Sequence, residues 1–245
     1  MDKSIIIIIL IALVGPFLGS ALGICRHYRE KQVYYLLSFA AGVMAFISIF
    51  ELLPNSLAHG YVFHSILGLF WGGFLMHILN IVLPHFHHPD CGQNKLKRAT
   101  LFVFLGIAIH NFPEGAAIGF GAFADLKFSL VIALAIALHD IPEAICVAAP
   151  LYSVTGKKWK SFFLALLAAV PTILGFLLTY YFLGDISLKT LSLIMGFTAG
   201  VMLYISFFEI IPVVLESRLG KKYAGACFAA GALLVFFLER IMGLN

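Results

Sequence analysis

The chain has 245 residues, 62% of them hydrophobic and 11% charged, with a mean hydropathy of +1.02. A water-soluble domain carries about a quarter charged residues, so this composition excludes a soluble enzyme or receptor domain. The formal net charge of +4 is small and its basic residues are spread over short loops, which gives no sign of nucleic-acid binding.

Apolar stretches of bilayer-crossing length recur at about 5–24, 33–57, 61–83, 99–123, 128–152, 161–183, 187–214 and 223–241. These spacings predict an all-α integral membrane protein with eight transmembrane helices, and residues 1–245 read as a single transmembrane domain. Span 1 offers the small residues Gly19-Ser20-Ala21 that a signal peptidase would accept, but it is long for a signal segment and lacks a strongly basic start. We therefore expect it to remain as a span.

The loop after span 1 holds Arg26, Arg29 and Lys31, and those after spans 3, 5 and 7 hold Lys95, Lys97 and Arg98, then Lys157, Lys158 and Lys160, then Arg218, Lys221 and Lys222. Alternate loops thus carry 12 of the 16 basic residues. Because Lys and Arg stay on the cytoplasmic side, both termini are expected outside, with the protein in the plasma (inner) membrane. Trp159, set among lysines, reads as an interfacial anchor.

Span 2 contains Ala41-Gly42-Val43-Met44, then Ile47-Ser48, Phe50-Glu51 and Pro54. Span 7 repeats it as Ala199-Gly200-Val201-Met202, Ile205-Ser206, Phe208-Glu209 and Pro212, at a constant offset of 158 with nine identities in fourteen positions. Between them, after span 3, lies the loop His85-Phe86-His87-His88-Pro89-Asp90-Cys91, whose His85, His87, His88 and Cys91 are candidates for cytoplasmic metal capture. The four cysteines show no paired spacing, so no disulfide framework or zinc-finger module is read from them.

Spans 4 and 5 carry the chemistry. His110-Asn111-Phe112-Pro113-Glu114-Gly115 and His139-Asp140-Ile141-Pro142-Glu143-Ala144 share one pattern 29 residues apart. His and Glu at i and i+4 lie on one helix face, and the proline between them removes a backbone hydrogen bond to Ile109 or Leu138, so we expect the ladder to weaken there. Both repeats join spans separated by an odd number of crossings, so both are inverted. Inverted repeats around a midplane site are what alternating-access transporters are built from. The expected plan is 3+2+3, with spans 1–3 related to 6–8 and span 4 to 5.

Glu51, Glu114, Asp140, Glu143 and Glu209 fall inside apolar stretches that hold no Lys or Arg except Arg240 at the end of the last. A carboxylate at the bilayer centre costs about 2.5–3.5 kcal/mol on insertion scales, so the group calls for a cation. Two imidazoles and two carboxylates, from His110, Glu114, His139 and Glu143, suit Zn²⁺ as well as Fe²⁺, Mn²⁺, Co²⁺ or Cd²⁺, and suit Ca²⁺ or Mg²⁺ poorly. Asn111 and Asp140 join Glu114 and Glu143 in an overlapping second site bridged by the glutamates. Glu51 and Glu209 fall near opposite ends of the pathway and read as inlet and outlet carboxylates, with Ser48, Ser206, Met44 and Met202 as pathway candidates. An intramembrane metal-dependent hydrolase using the same ligands is the competing reading, as is a protein that binds metal without moving it. No phosphate-binding glycine loop indicates ATP use.

The two motifs resemble the fourth- and fifth-span signatures of the ZIP (Zrt/Irt-like protein) family of divalent metal transporters, and the eight-span, both-ends-out plan is similar over the whole chain. The resemblance implies a 3+2+3 bundle with a binuclear metal centre between spans 4 and 5. Zn²⁺ or a related ion would be transported substrate rather than cofactor, moving toward the cytoplasm by alternating access without covalent chemistry. The partners expected are divalent metal ions, the lipid bilayer and a second copy of the chain in a homodimer. The chain departs from the pattern twice. Val170 precedes Pro171 where many bacterial members carry glutamate, and Ala144 stands where glycine often follows the second motif.

Overall fold

The computed structural model describes residues 3–58, 60–82, 93–184, 187–217 and 221–242. Among them the chain forms eight helical spans long and apolar enough to cross a membrane. These are span 1 (Lys3–Gly23), span 2 (Glu30–Ala58), span 3 (Val62–Val82), span 4 (Gln93–Ala124), span 5 (Leu126–Thr155), span 6 (Lys158–Leu183), span 7 (Leu188–Glu216) and span 8 (Lys221–Met242). No strand occurs among the described residues. Helices are the expected solution, because a backbone inside hydrocarbon has to satisfy its own hydrogen bonds.

Local chemistry marks several boundaries. Asp125 caps span 5, its carboxylate accepting from the Lys127 amide at 3.0 Å. Gly156, at φ +66°, closes the same helix in the left-handed conformation that a residue without Cβ adopts freely. Trp159 is exposed beside Lys158, in keeping with an anchor at a membrane surface.

The repeat seen in the sequence extends to the backbone. Glu30–Ala58 and Leu188–Glu216 are each 29 residues long, and each contains a π-helical turn at the same offset, Ile47–Leu52 and Ile205–Ile210. Each turn precedes a proline, Pro54 or Pro212. The wide turn relieves the clash a proline ring makes with the carbonyl one turn earlier. Its closing bond runs from Leu53 to the Ser48 carbonyl and, in the other copy, from Ile211 to the Ser206 carbonyl.

Packing follows the same pairing. Span 1 lies along span 5, and the second half of span 6 along span 4; span 8 lies along span 2, and span 3 along span 7; spans 2 and 5 touch, as do spans 7 and 4. Exchanging 1 with 6, 2 with 7, 3 with 8 and 4 with 5 converts each of these contacts into another, which is consistent with an inverted repeat. Glycines make the close approaches. A Cβ on Gly42 would stand 2.0 Å from the Phe228 carbonyl oxygen, and one on its repeat mate Gly200 would stand 2.2 Å from that of Leu69.

The helix breaks differ from expectation. Spans 4 and 5 run as continuous α-helices through Pro113 and Pro142. The interruptions fall instead at the π turns of spans 2 and 7, in span 6 between Lys158–Leu167 and Val170–Leu178, and at a further π turn, Thr179–Leu183. A proline removes one ladder bond, and inside a bundle neighbouring helices hold the rest of the helix in place.

Candidate metal centre

The core pair of spans 4 and 5 brings the two motifs face to face. His110, Asn111, Glu114, Asp140 and Glu143 are all buried, and His139 is nearly so. His110 Nδ1 lies 3.0 Å from the Gly106 carbonyl oxygen one turn back, so Nδ1 carries a hydrogen and donates it. The Nε2 atom is thereby turned toward Glu143, whose Oε2 stands 3.0 Å away. On the other side His139 Nε2 lies 3.4 Å from Glu114 Oε1 and 3.9 Å from Asp140 Oδ1. Glu114, His139 and Asp140 can each offer one ligand atom within 4.8 Å of the others.

Several polar atoms in this region have no hydrogen-bond partner. They are Asn111 Oδ1, Glu114 Oε2, His139 Nε2, both Asp140 carboxylate oxygens and Glu143 Oε1. Buried acceptors left unmade cost about 1–3 kcal/mol each, and more when charged. Three carboxylates against two imidazoles leave the group short of positive charge, and a divalent cation would meet both needs at once. Beside the cluster Asn111, Asp140 and Glu143 line a cavity of about 10 Å³ together with Pro16, Ala144, Ala168 and Ala169. That volume is about the room one water or one small ion takes.

The structure accounts for both departures from the ZIP pattern. Val170 is 40% exposed and is not among the residues that line the cavity, to which span 6 contributes Ala165, Ala168 and Ala169. The helix break puts the Ala168 carbonyl oxygen within reach of Asn111, which donates to it from Nδ2 at 2.8 Å. Asn111 is oriented by that bond and keeps its Oδ1 free. At the second motif, the Ala144 Cβ would stand 2.8 Å from a Cβ placed on Gly19 of span 1, whereas a Cβ placed on Gly115 would stand 1.9 Å from the Thr172 carbonyl oxygen. Glycine is needed on one side of each crossing, and at the span 1–span 5 crossing Gly19 provides it.

The remaining expected residues fall in three groups. Ser48 and Ser206 are buried and donate to the carbonyls four residues back, Met44 at 2.8 Å and Met202 at 2.9 Å. Met44 and Met202 themselves are fully buried in the main apolar core. Glu51 is half-buried on the π turn of span 2, within electrostatic reach of His139 and Glu114. Glu209 has a different neighbour, Arg98, whose Nη1 is 4.0 Å from Glu209 Oε1. Arg98 was assigned to a loop by composition alone, yet it sits on the extended first turns of span 4; the polar residues Asn80 and His77 on span 3, three apart on one helical face, were the available signal. His85, His87, His88 and Cys91 lie outside the described residues.

Fold and site together define a multi-pass membrane protein that holds a histidine–carboxylate cluster in its interior. Comparison with known proteins supplies the family. The model of the ZIP Zinc transporter family matches residues 84–239. The chain is 37% identical over 228 residues to the zinc transporter ZupT of Enterobacter sp. (strain 638), covering 86% of each chain. It is 36% identical over 229 residues, again with 86% of each chain covered, to those of Salmonella newport (strain SL254) and Salmonella enteritidis PT4 (strain P125109). The chain belongs to the ZIP family. Its members are transporters rather than enzymes, and nothing favours the hydrolase reading.

Proposed function

We propose that this protein transports divalent metal ions, zinc foremost, across the inner membrane toward the cytoplasm by alternating access. The observation that carries the reading is the set of buried, unpartnered oxygens and the His139 nitrogen on spans 4 and 5, which lack only a cation. His110 Nε2 and Glu143 Oε2 stand 3.0 Å apart, close enough for both to ligate one metal ion. His110, Glu114, His139 and Glu143 are assigned to the first metal position, and Asn111, Glu114, Asp140 and Glu143 to the second. The close approach of Glu114, His139 and Asp140 supports treating the two as one overlapping centre. Fe²⁺, Mn²⁺, Co²⁺ and Cd²⁺ are alternative cargoes by ligand type.

Residues 1–245 act as a single transport domain with both termini outside, an orientation supported by the basic loops. Spans 3 and 8 are the least buried, and their apolar faces are assigned to lipid and to a second copy in a homodimer. Purified protein in liposomes loaded with a zinc-sensitive dye tests the reading. Zinc influx is expected from the wild-type chain and none above background from Glu143→Ala. Binding without flux would leave a metal-binding membrane protein and overturn the proposal.

A further inference from the structure

We propose that the oxygens gathered around Arg98 form another cation site, distinct from the central centre, in which the guanidinium is the resident cation and a divalent metal ion displaces it. Arg98 lies 12 residues before His110 on the same helix, about 18 Å along its axis. Between the two levels span 4 carries Phe102, fully buried, and Gly106, against which the fully buried Met76 and Ile205 pack.

Three oxygens from two other spans converge on this one side chain. Glu209, 5% exposed on the π turn of span 7, presents Oε1 at 4.0 Å from Nη1. Asn80 of span 3 accepts from Nη2 twice, through its backbone carbonyl at 3.2 Å and through Oδ1. The Asn80 amide is held in that sense because its Nδ2 donates to the Tyr204 hydroxyl at 3.2 Å, which in turn contacts His77 Nδ1 at 3.2 Å. A carboxylate, an amide oxygen and a carbonyl, with an imidazole one bond further on, make a donor set for a divalent cation.

The guanidinium is held closely by Asn80 and only loosely by Glu209. At 4.0 Å its approach to Glu209 is an ion pair too long for a hydrogen bond. Its Nε is buried without a partner, although the side chain remains 24% exposed. A metal ion carries twice the charge and reaches carboxylate oxygen at about 2.0–2.2 Å, so it competes with Arg98 for Glu209. Arginine stays protonated at any working pH, so the tethered charge is always present to return and expel the ion. The site would therefore bind transiently and release. That relay role rests on the transport reading above; the binding site itself does not.

The test uses the full chain in detergent with the central centre silenced by Glu114→Gln and Glu143→Gln, and equilibrium dialysis with Zn²⁺ alone. Arg98→Ala in this background should gain one equivalent of Zn²⁺, bound about tenfold tighter or more than by the Arg98 parent. Arg98→Gln should gain it as well, which keeps the test decisive if the alanine variant misfolds. Arg98→Lys, which retains a cation, should stay at the parent level, and adding Glu209→Gln should abolish the gain. Parent-level binding by both neutral variants, or a gain that survives Glu209→Gln, would overturn the site. A chain that shows this gain, but whose unsubstituted form carries no zinc into liposomes, would instead overturn the transport reading and leave the site standing.

Discussion

Glu51 and Glu209 hold the same place in two copies of one pattern, each five residues into its π-helical turn and three residues before a proline. Their surroundings differ. Glu51 is in electrostatic reach of His139 and Glu114, while Glu209 faces a guanidinium. The cause lies in the central pair. By the offset that relates span 4 to span 5, the mate of Arg98 is Lys127. Span 4 begins at Gln93, which carries Arg98 into the bundle, whereas span 5 begins at Leu126 and leaves Lys127 exposed in its first turn. Little more than a turn of extra helix thus turns two equivalent carboxylates into unlike groups, one that feels the charge of the histidine–carboxylate cluster and one paired with a cation.

Breaking the cluster should have the largest effect. Beyond the loss of flux in Glu143→Ala, Glu114→Ala should also reduce dye-reported zinc influx to background, because each removes an oxygen that no neighbour can replace.

The two ends of the comparison come next. Glu51→Gln should raise the zinc concentration for half-maximal uptake by about tenfold, since it removes charge facing the cluster. Glu209→Gln should leave that concentration within about twofold and change the maximal rate instead. Equal shifts in both variants would mean that the halves are functionally alike and that Arg98 makes no difference.

Packing sharpens the comparison from the side of the fold. Gly42→Val and Gly200→Val place a branched side chain against a facing carbonyl in each half, and each should destabilise the helix pair by about 1–3 kcal/mol. Thermal unfolding in detergent reads this as matching falls in Tm; one unaffected variant would break the packing equivalence. The smallest effect is expected from Ser48→Ala and Ser206→Ala. Each removes one hydroxyl bonded to its own helix, worth about 0.5–1.5 kcal/mol, with zinc uptake close to wild type in both.

Much of this was legible in the sequence, for identifiable reasons. Each apolar run had to close its backbone bonds within itself, so the eight helices and the order of the repeats could be read directly. The His-x-x-Pro-Glu spacing placed ligands on one face of each helix, which needs only the helical period. The helix breaks were not legible. Pro113 and Pro142 looked like the weak points, but the surrounding helices hold spans 4 and 5 straight, and the irregular turns moved to spans 2, 6 and 7. The bond that orients Asn111 was not legible either, because it depends on the break in span 6 that brings the Ala168 carbonyl within reach.

By itself, then, the sequence determined the class of protein, the number of apolar helical spans and the two repeated segments, all of which depend on composition and local period. Only the tertiary structure decided which side chains meet. The pairing of His110 with Glu143 and the approach of Arg98 to Glu209 both depend on where one helix starts relative to another. That register comes from backbone-to-backbone contact at glycines on different spans, a property of pairs of helices that no single segment carries.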